Sequence, residues 1–369
     1  MTDNEAVIDL DSFAANLNHL HRTVAPAELM VVLKADAYGH GLIPMGLAAA
    51  QAGITWLGTL DLASALALRS AGMPKNVTIF AWLFAPEQDF RAALTARIDL
   101  GISRSSELRA IERVFAGTPA RIHLKIDTGL SRNGATEAEW PQLVADALAM
   151  QDRGILEVFG AWTHIAEASE EEDTVAIDRF RRAIAVAEAL GARFTLRHLA
   201  TSSAGLRRAD SRFDLVRMGG HCWGIPSFDG VTAEDIGLRQ VMTLQSRVTL
   251  IRHHTDGTRS ALLPIGYADG LPSNAEGAVT VAINGTRYPL THPVGLDQTM
   301  VDIGGASDDD VAIGDQAVLF GPGEHGEQSV REWGDATGTL GDEIVTRIGV
   351  SVPRRYIRGG HPGGDESRT

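Results

Sequence analysis

The period of the hydrophobic positions changes once along the chain. From residue 29 to about 237 one unit recurs: a short apolar run, a turn, then apolar residues at helical spacing. The runs are Leu29–Leu33, Trp56–Leu60, Val77–Ala81, Ile98–Ile102, Arg121–Ile126, Leu156–Thr163, Phe194–His198 and Phe213–Arg217. Most lack alternation, as expected of parallel strands covered on both faces. Between them, Asp61 caps a helix stopped by Gly72, and Ser105 or Ser106 caps another stopped by Gly117. Thr136 and Glu139 have capping-box spacing ahead of Pro141, and Val175, Phe180, Ile184 and Ala187 form a stripe ending at Gly191. Eight such alternations predict an α/β fold, with an N-terminal (β/α)8 TIM-type barrel over residues 11–237. A doubly wound open sheet is the structural alternative, weakened because no Gly-x-Gly-x-x-Gly follows an early strand.

Beyond residue 238 the period becomes two. Met242, Leu244, Val248 and Leu250 alternate with polar residues, as do Val279, Val281 and Ile283, and Asn284-Gly285 then signals a hairpin. Met300–Ile303, Ala317–Phe320 and Val345–Val350 read as further strands, so residues 238–369 are expected to form an all-β domain. The strand 6–10 could join either domain, and the Gly/Pro/polar tail from Gly359 is expected to fray.

Composition narrows the function. A length of 369 residues suits two domains, and a net charge of −14 repels phosphate backbones, which argues against a nucleic-acid partner. Cys222 is the sole cysteine, so neither an intrachain disulfide nor a cysteine zinc cluster can form. His40 and the pair His253-His254 lack the carboxylate or cysteine spacing of a metal site, and none is expected. The acidic start Met1–Glu5 is unlike a signal peptide, and no apolar run approaches the ~20 residues of a membrane span. A cytoplasmic protein without membrane contact is the expectation.

In a barrel of this type the active site lies at the C-terminal strand ends. Lys34 follows the first strand directly, where desolvation would lower its pKa and suit it to covalent or proton-transfer chemistry. Later strands end in Lys125, with Arg132 beyond it, then His164, His198 and Arg217. Ser202, Gly219 and Gly220, with Tyr38, have the make-up of a phosphate cradle, although Gly219-Gly220 alone also reads as a tight strand exit.

Eight segments in order resemble the alanine racemase family of fold-type III enzymes that use pyridoxal 5′-phosphate. They centre on Lys34-Ala35-Asp36-Ala37-Tyr38-Gly39-His40-Gly41, Lys125-Ile126-Asp127-Thr128-Gly129, Thr163-His164, Thr201-Ser202-Ser203, Arg217-Met218-Gly219, Gly266-Tyr267-Ala268-Asp269-Gly270, Asp297-Gln298-Thr299 and Pro353-Arg354-Arg355-Tyr356. The resemblance implies that Lys34 binds the cofactor covalently and acts as base on one face of the substrate. It implies that Tyr267 enters from the partner subunit as the opposing acid/base. By the same carry-over, Tyr38, Ser202, Gly219, Gly220 and Tyr356 match phosphate-binding positions, and Arg217 faces the pyridine nitrogen. Arg132 lies near the cofactor's phenolic oxygen and the substrate carboxylate. His164 links Tyr267 to Arg217, Leu296 offers a backbone N–H to the substrate, and Lys125 is carbamylated in some members. The implied protein is a homodimeric isomerase that interconverts L- and D-alanine and supplies D-alanine for peptidoglycan.

Two groups on opposite faces suit a reaction that removes a proton from one side and returns it on the other. The chain departs from the family at Pro293, Leu296 and Gly220, where an arginine, a methionine and an aliphatic residue are usual. These changes open the alternative of a racemase of broader specificity that accepts serine or larger substrates. A fold-type III decarboxylase is a further alternative, disfavoured because Arg217 stands where those enzymes place a glutamate. A non-catalytic cofactor carrier is disfavoured by the β-domain with its Tyr267.

Overall fold

The computed structural model describes residues 3–85 and 88–359. The chain opens with β1 (Glu5–Asp9) and α1 (Leu10–Val24). Eight strands follow: β2 (Glu28–Val32), β3 (Trp56–Thr59), β4 (Thr78–Ala81), β5 (Asp99–Ile102), β6 (Ala120–Lys125), β7 (Leu156–Trp162), β8 (Leu196–His198) and β9 (Leu215–Met218). They pair in parallel in the order β8-β7-β6-β5-β4-β3-β2-β9. The order never reverses around a switch point, which excludes the doubly wound sheet. Across the remaining seam the Asp214 N–H donates to Arg197 O at 3.0 Å and the Arg217 N–H to Ala200 O at 3.1 Å, so the barrel is nearly closed.

Met30, Trp56, Phe80, Trp162, Leu196 and Leu215, one from each of six strands, form the barrel's hydrophobic cluster. Large rings fit because β5 contributes Gly101, where a Cβ would come within 2.9 Å of Phe80 and Trp82. The helices outside the strands start largely where the sequence says. Asp61 accepts from the Ser64 N–H, and Thr136 and Glu139 exchange the two bonds of a capping box ahead of Trp140–Asp152. The cap of Ser105–Val114 differs from expectation: Ser105 and Ser106 are already helical, and Glu107 closes the start by accepting from the Ser103 and Arg104 N–H groups. In Glu170–Ala189 the buried stripe runs through Ala176, Ile177, Phe180, Ala183, Ile184 and Ala187, while Val175 points outward.

The chain divides into two compact units. One holds Leu17–Lys34 and Leu42–Gly219, and thus the barrel. The other gathers the N-terminal segment to Asn16, the Ala35–Gly41 turn and the chain from Gly220 onward. That second unit contains β10 (Met242–Arg247), β11 (Leu250–His253), β12 (Arg259–Leu263), β13 (Thr280–Ile283), β14 (Thr286–Pro289), β15 (Thr299–Gly304), β16 (Gln316–Phe320) and β17 (Arg354–Ile357). Its larger sheet has the order β14-β13-β16-β10-β1-β17, and β11-β12-β15 forms a second sheet. β1 is antiparallel to β10 and parallel to β17. Asn284 and Gly285 turn the β13–β14 hairpin with positive φ angles of 50° and 80°.

Val345–Val350 is not a strand. Val345 lies in the helix Gly341–Arg347, which follows the helix Val330–Thr337, so this unit is not purely β. A short segment of mixed polarity reads alike in a strand and a helix turn, and the helix that starts after Leu340 takes in Val345, Thr346 and Arg347. The tail expected to fray lies, from residue 360, outside the described residues. Among the described residues no helix is long and apolar enough to cross a membrane.

Candidate active site

At the barrel rim Trp162, the last residue of β7, is a common floor. Lys125 Nζ sits 4.3 Å from its ring centroid, the Arg217 guanidinium carbon 5.2 Å, and the His198 ring stacks on it at 5.6 Å. Lys125 is only 4% exposed. Burial, reinforced by the Arg217 and Arg132 charges, lowers its pKa to about 7. Arg217 is held rigidly: Nη2 donates to Thr163 O at 2.8 Å and Leu199 O at 3.1 Å, and Nη1 to His198 Nδ1 at 3.1 Å. Burial lowers the proton affinity of this guanidinium, with the Glu167 carboxylate opposing, but an arginine starts so basic that it stays protonated. Among the described residues none of Arg217's hydrogen bonds reaches His164. His164 feels Arg217, Arg132, Lys125 and Lys34 as charges, and burial with those four cations drives its pKa far below the ordinary histidine value.

Arg132 rides a closed loop. Ala135 N–H donates to Lys125 O and Asp127 N–H to Ala135 O, while Asp127 Oδ1 accepts from the N–H groups of Gly129 and Ser131. The Lys-Ile-Asp-Thr-Gly segment is thus a device that returns the chain to its strand, leaving Arg132 exposed. In the same unit the Gly219 N–H donates to Ser202 Oγ at 3.2 Å, which brings two expected cradle residues together. Glu167, at φ 56°, accepts from Thr201 Oγ1 and, at 2.8 Å, from the Ala204 N–H. Sequence reasoning passed over Glu167, and its place in an acidic surface-like stretch gave no signal.

Lys34 departs from expectation. It is exposed, and the desolvated amine of the rim is Lys125 instead. Directly after it, Ala35, Asp36, Ala37 and Tyr38 are all left-handed at φ 52–55°. Such a conformation costs about 1–2 kcal/mol per residue and persists only where the surroundings impose it. Within the second unit they do. The Arg354 Nε donates to Gly39 O and the Tyr356 hydroxyl to His40 O, each at 2.9 Å. His40, stacked 4.8 Å from Trp223, donates from Nδ1 toward Ala37 O and Tyr38 O. Tyr38 and Tyr356 thereby flank one turn, and burial raises the pKa of both phenols. Gly220, the first residue past the barrel, takes a backbone position whose Cβ would lie 3.1 Å from Ile225 O.

Tyr267 and Leu296 also meet. The Tyr267 N–H donates to Gly295 O and the Ala268 N–H to Leu296 O, both at 2.9 Å. A Cβ at Gly266 would strike Gly295 O and Leu296 O at 2.4 Å, so glycine permits the approach. Both side chains stand out, Tyr267 at 50% and Leu296 at 56% exposure.

Fold and rim together define a (β/α)8-type barrel protein with lysine, arginine and histidine side chains gathered at its strand ends. The family model for the alanine racemase N-terminal domain matches residues 8–226, and that for the alanine racemase C-terminal domain matches residues 241–356. An alanine racemase of Streptomyces coelicolor is 43% identical, with 95% of each chain covered. One of Frankia casuarinae is 42% identical over 95% of this chain and 96% of its own. The crystal structure of alanine racemase from D-cycloserine producing Streptomyces lavendulae superposes with a TM-score of 0.92 at 38% identity, covering 97% of this chain and 98% of that one. The chain belongs to the alanine racemase family.

Proposed function

We propose that the protein interconverts L-alanine and D-alanine by two-base proton transfer with pyridoxal 5′-phosphate, in the cytoplasm and as a homodimer, supplying D-alanine for peptidoglycan. The donor set fits that cofactor. Phosphate, phenolic oxygen and substrate carboxylate are all anionic, and the barrel rim carries Lys34, Lys125, Arg132 and Arg217 around a histidine that burial and those charges keep neutral. Gly219, Gly220, Ser202, Tyr38 and Tyr356 would hold the phosphate, and Lys34 the aldehyde.

When bound, the cofactor supplies a conjugated ring that withdraws electrons from the substrate nitrogen and so acidifies the α C–H. Lys34 Nζ takes or returns the α-proton on one face. The Tyr267 hydroxyl of a second copy does so on the other face, with the backbone of Leu296 beside it. Arg132 orients the substrate carboxylate. The observation that carries the reading is the immobilised guanidinium of Arg217. It can donate but never accept a proton, so it suits an unprotonated pyridine nitrogen. Protonation at the α-carbon is then favoured over the ring side, which selects racemisation over transamination.

The test uses two inactive proteins. Lys34→Ala and Tyr267→Ala each lose activity; when the two are mixed and allowed to exchange subunits, roughly a quarter of the wild-type turnover returns, because one site in each mixed dimer carries both native residues. Absence of recovery despite demonstrated exchange would remove the composite site.

A further inference from the structure

Behind Arg217 the barrel holds a line of polar side chains that these proton transfers do not use. His198 Nε2 lies 3.0 Å from His123 Nδ1, and His123 Nε2 lies 3.1 Å from Asp99 Oδ2. Asp99 also receives the Arg121 Nε–H at 2.8 and 2.9 Å, and Arg121 Nη2 reaches Thr78 Oγ1 at 3.0 Å. Asp99, His123, His198 and Arg217 are all buried. The line therefore crosses the barrel from the start of β5 and β6 to the ends of β8 and β9.

Its proton order has one solution. A guanidinium has donors only, so His198 Nδ1 must accept from Arg217. A neutral imidazole has one acceptor, so His198 Nε2 carries the proton and donates to His123 Nδ1. His123 then donates from Nε2 to the Asp99 carboxylate. The reverse order would ask His198 to accept at both nitrogens. The surroundings reserve the space: at Gly160 a Cβ would lie 2.5 Å from His123 Nδ1, and the Phe80 ring packs 4.8 Å from His123 and 5.4 Å from His198. Burial and the Arg217 charge keep His198 far below the ordinary histidine pKa, in keeping with a neutral ring.

We propose that His123 and Asp99 are positioning residues for Arg217: anchored by the Asp99–Arg121 ion pair, two neutral imidazoles of fixed tautomer hold the guanidinium as an oriented donor toward the cofactor's ring nitrogen. This rests on the cofactor reading above, but the tautomers themselves do not. In holoenzyme labelled with 15N at histidine, both rings are expected to give Nε2–H signals at neutral pH. A Nδ1–H ring at either position overturns the relay, whatever the protein catalyses. The variant pair is His123→Gln, whose amide can accept from His198 and donate to Asp99, and His123→Phe, which can do neither. The phenylalanine variant is expected to shift the visible absorption of bound pyridoxal phosphate and to lower kcat about tenfold or more, with KM changed less than about threefold; glutamine restores both to within about threefold. Indistinguishable glutamine and phenylalanine variants overturn the positioning role. A wild-type protein that binds no pyridoxal phosphate would instead sink the proposed function, with the tautomers still readable.

Discussion

The barrel rim and the Tyr267–Leu296 patch solve opposite problems. At the rim, polar groups are enclosed by their own chain: Lys125, His198 and Arg217 are buried and share the Trp162 ring, and burial with the Arg217 charge lowers the proton affinity of the other two. In the patch, backbone bonds fix two loops against each other while both side chains stay open to solvent. Enclosure tunes a group within one chain. An exposed group is left to be enclosed by something else, and in the proposed function a second copy does so. Lys34 belongs with the exposed class although it lies two residues past the end of a barrel strand.

Substitutions on the two sides should separate accordingly. The largest effect is expected of Arg217→Glu, which replaces an obligate donor by a carboxylate at the centre of the rim. Racemisation should fall about a thousandfold or more while pyruvate formation from alanine rises, measured by coupled assays on the same preparation. Next comes Asp99→Ala, which strips the buried end of the relay, leaving His123 Nε2 without its acceptor and Arg121 with Thr78 alone. A loss of about 3 kcal/mol in denaturant unfolding is expected; a loss under about 1 kcal/mol would mean that the line contributes little to the barrel.

Lys125 gives a pH signature. Its folded-state pKa, about 7, lies below the ordinary lysine value of 10.5, so the unfolded chain binds more protons between those values. Wild type should therefore gain stability relative to Lys125→Met as pH rises from about 7 towards 10, and the difference should flatten below about 7. Parallel stability curves for the two proteins would show that this amine is not desolvated. The smallest effect is expected on the other unit's surface: Gly285→Ala, at φ 80° in the β13–β14 hairpin, should cost about 1 kcal/mol in thermal unfolding and leave turnover unchanged.

Much of this was legible in the residues. Eight short runs, most of them without alternation, identify the barrel strands because parallel strands covered on both faces need not alternate. Asn284-Gly285 identifies its hairpin because few residue pairs accept two positive φ angles. The strand β17 was missed because its four residues include two arginines, and Val345–Val350 was misread because six residues interrupted by Thr346, Arg347 and Gly349 have no decisive period. His123 and Asp99 were missed for another reason. One histidine between Ile122 and Leu124 reads as a satisfied core residue, and nothing local says that its partners lie 24 positions before and 75 positions after it.

The sequence by itself determined the periodic skeleton, the acidic charge and the set of reactive side chains at strand ends, for these depend on local spacing and on residue chemistry. Only the tertiary structure decided that Lys125 rather than Lys34 is the desolvated amine. It alone decided that a run of left-handed residues is clamped by Arg354 and Tyr356, and that Arg217 dictates the tautomers of two histidines. Burial and hydrogen-bond direction are properties of groups far apart in the chain, and they acquire values only when folding brings those groups within a few ångströms of each other.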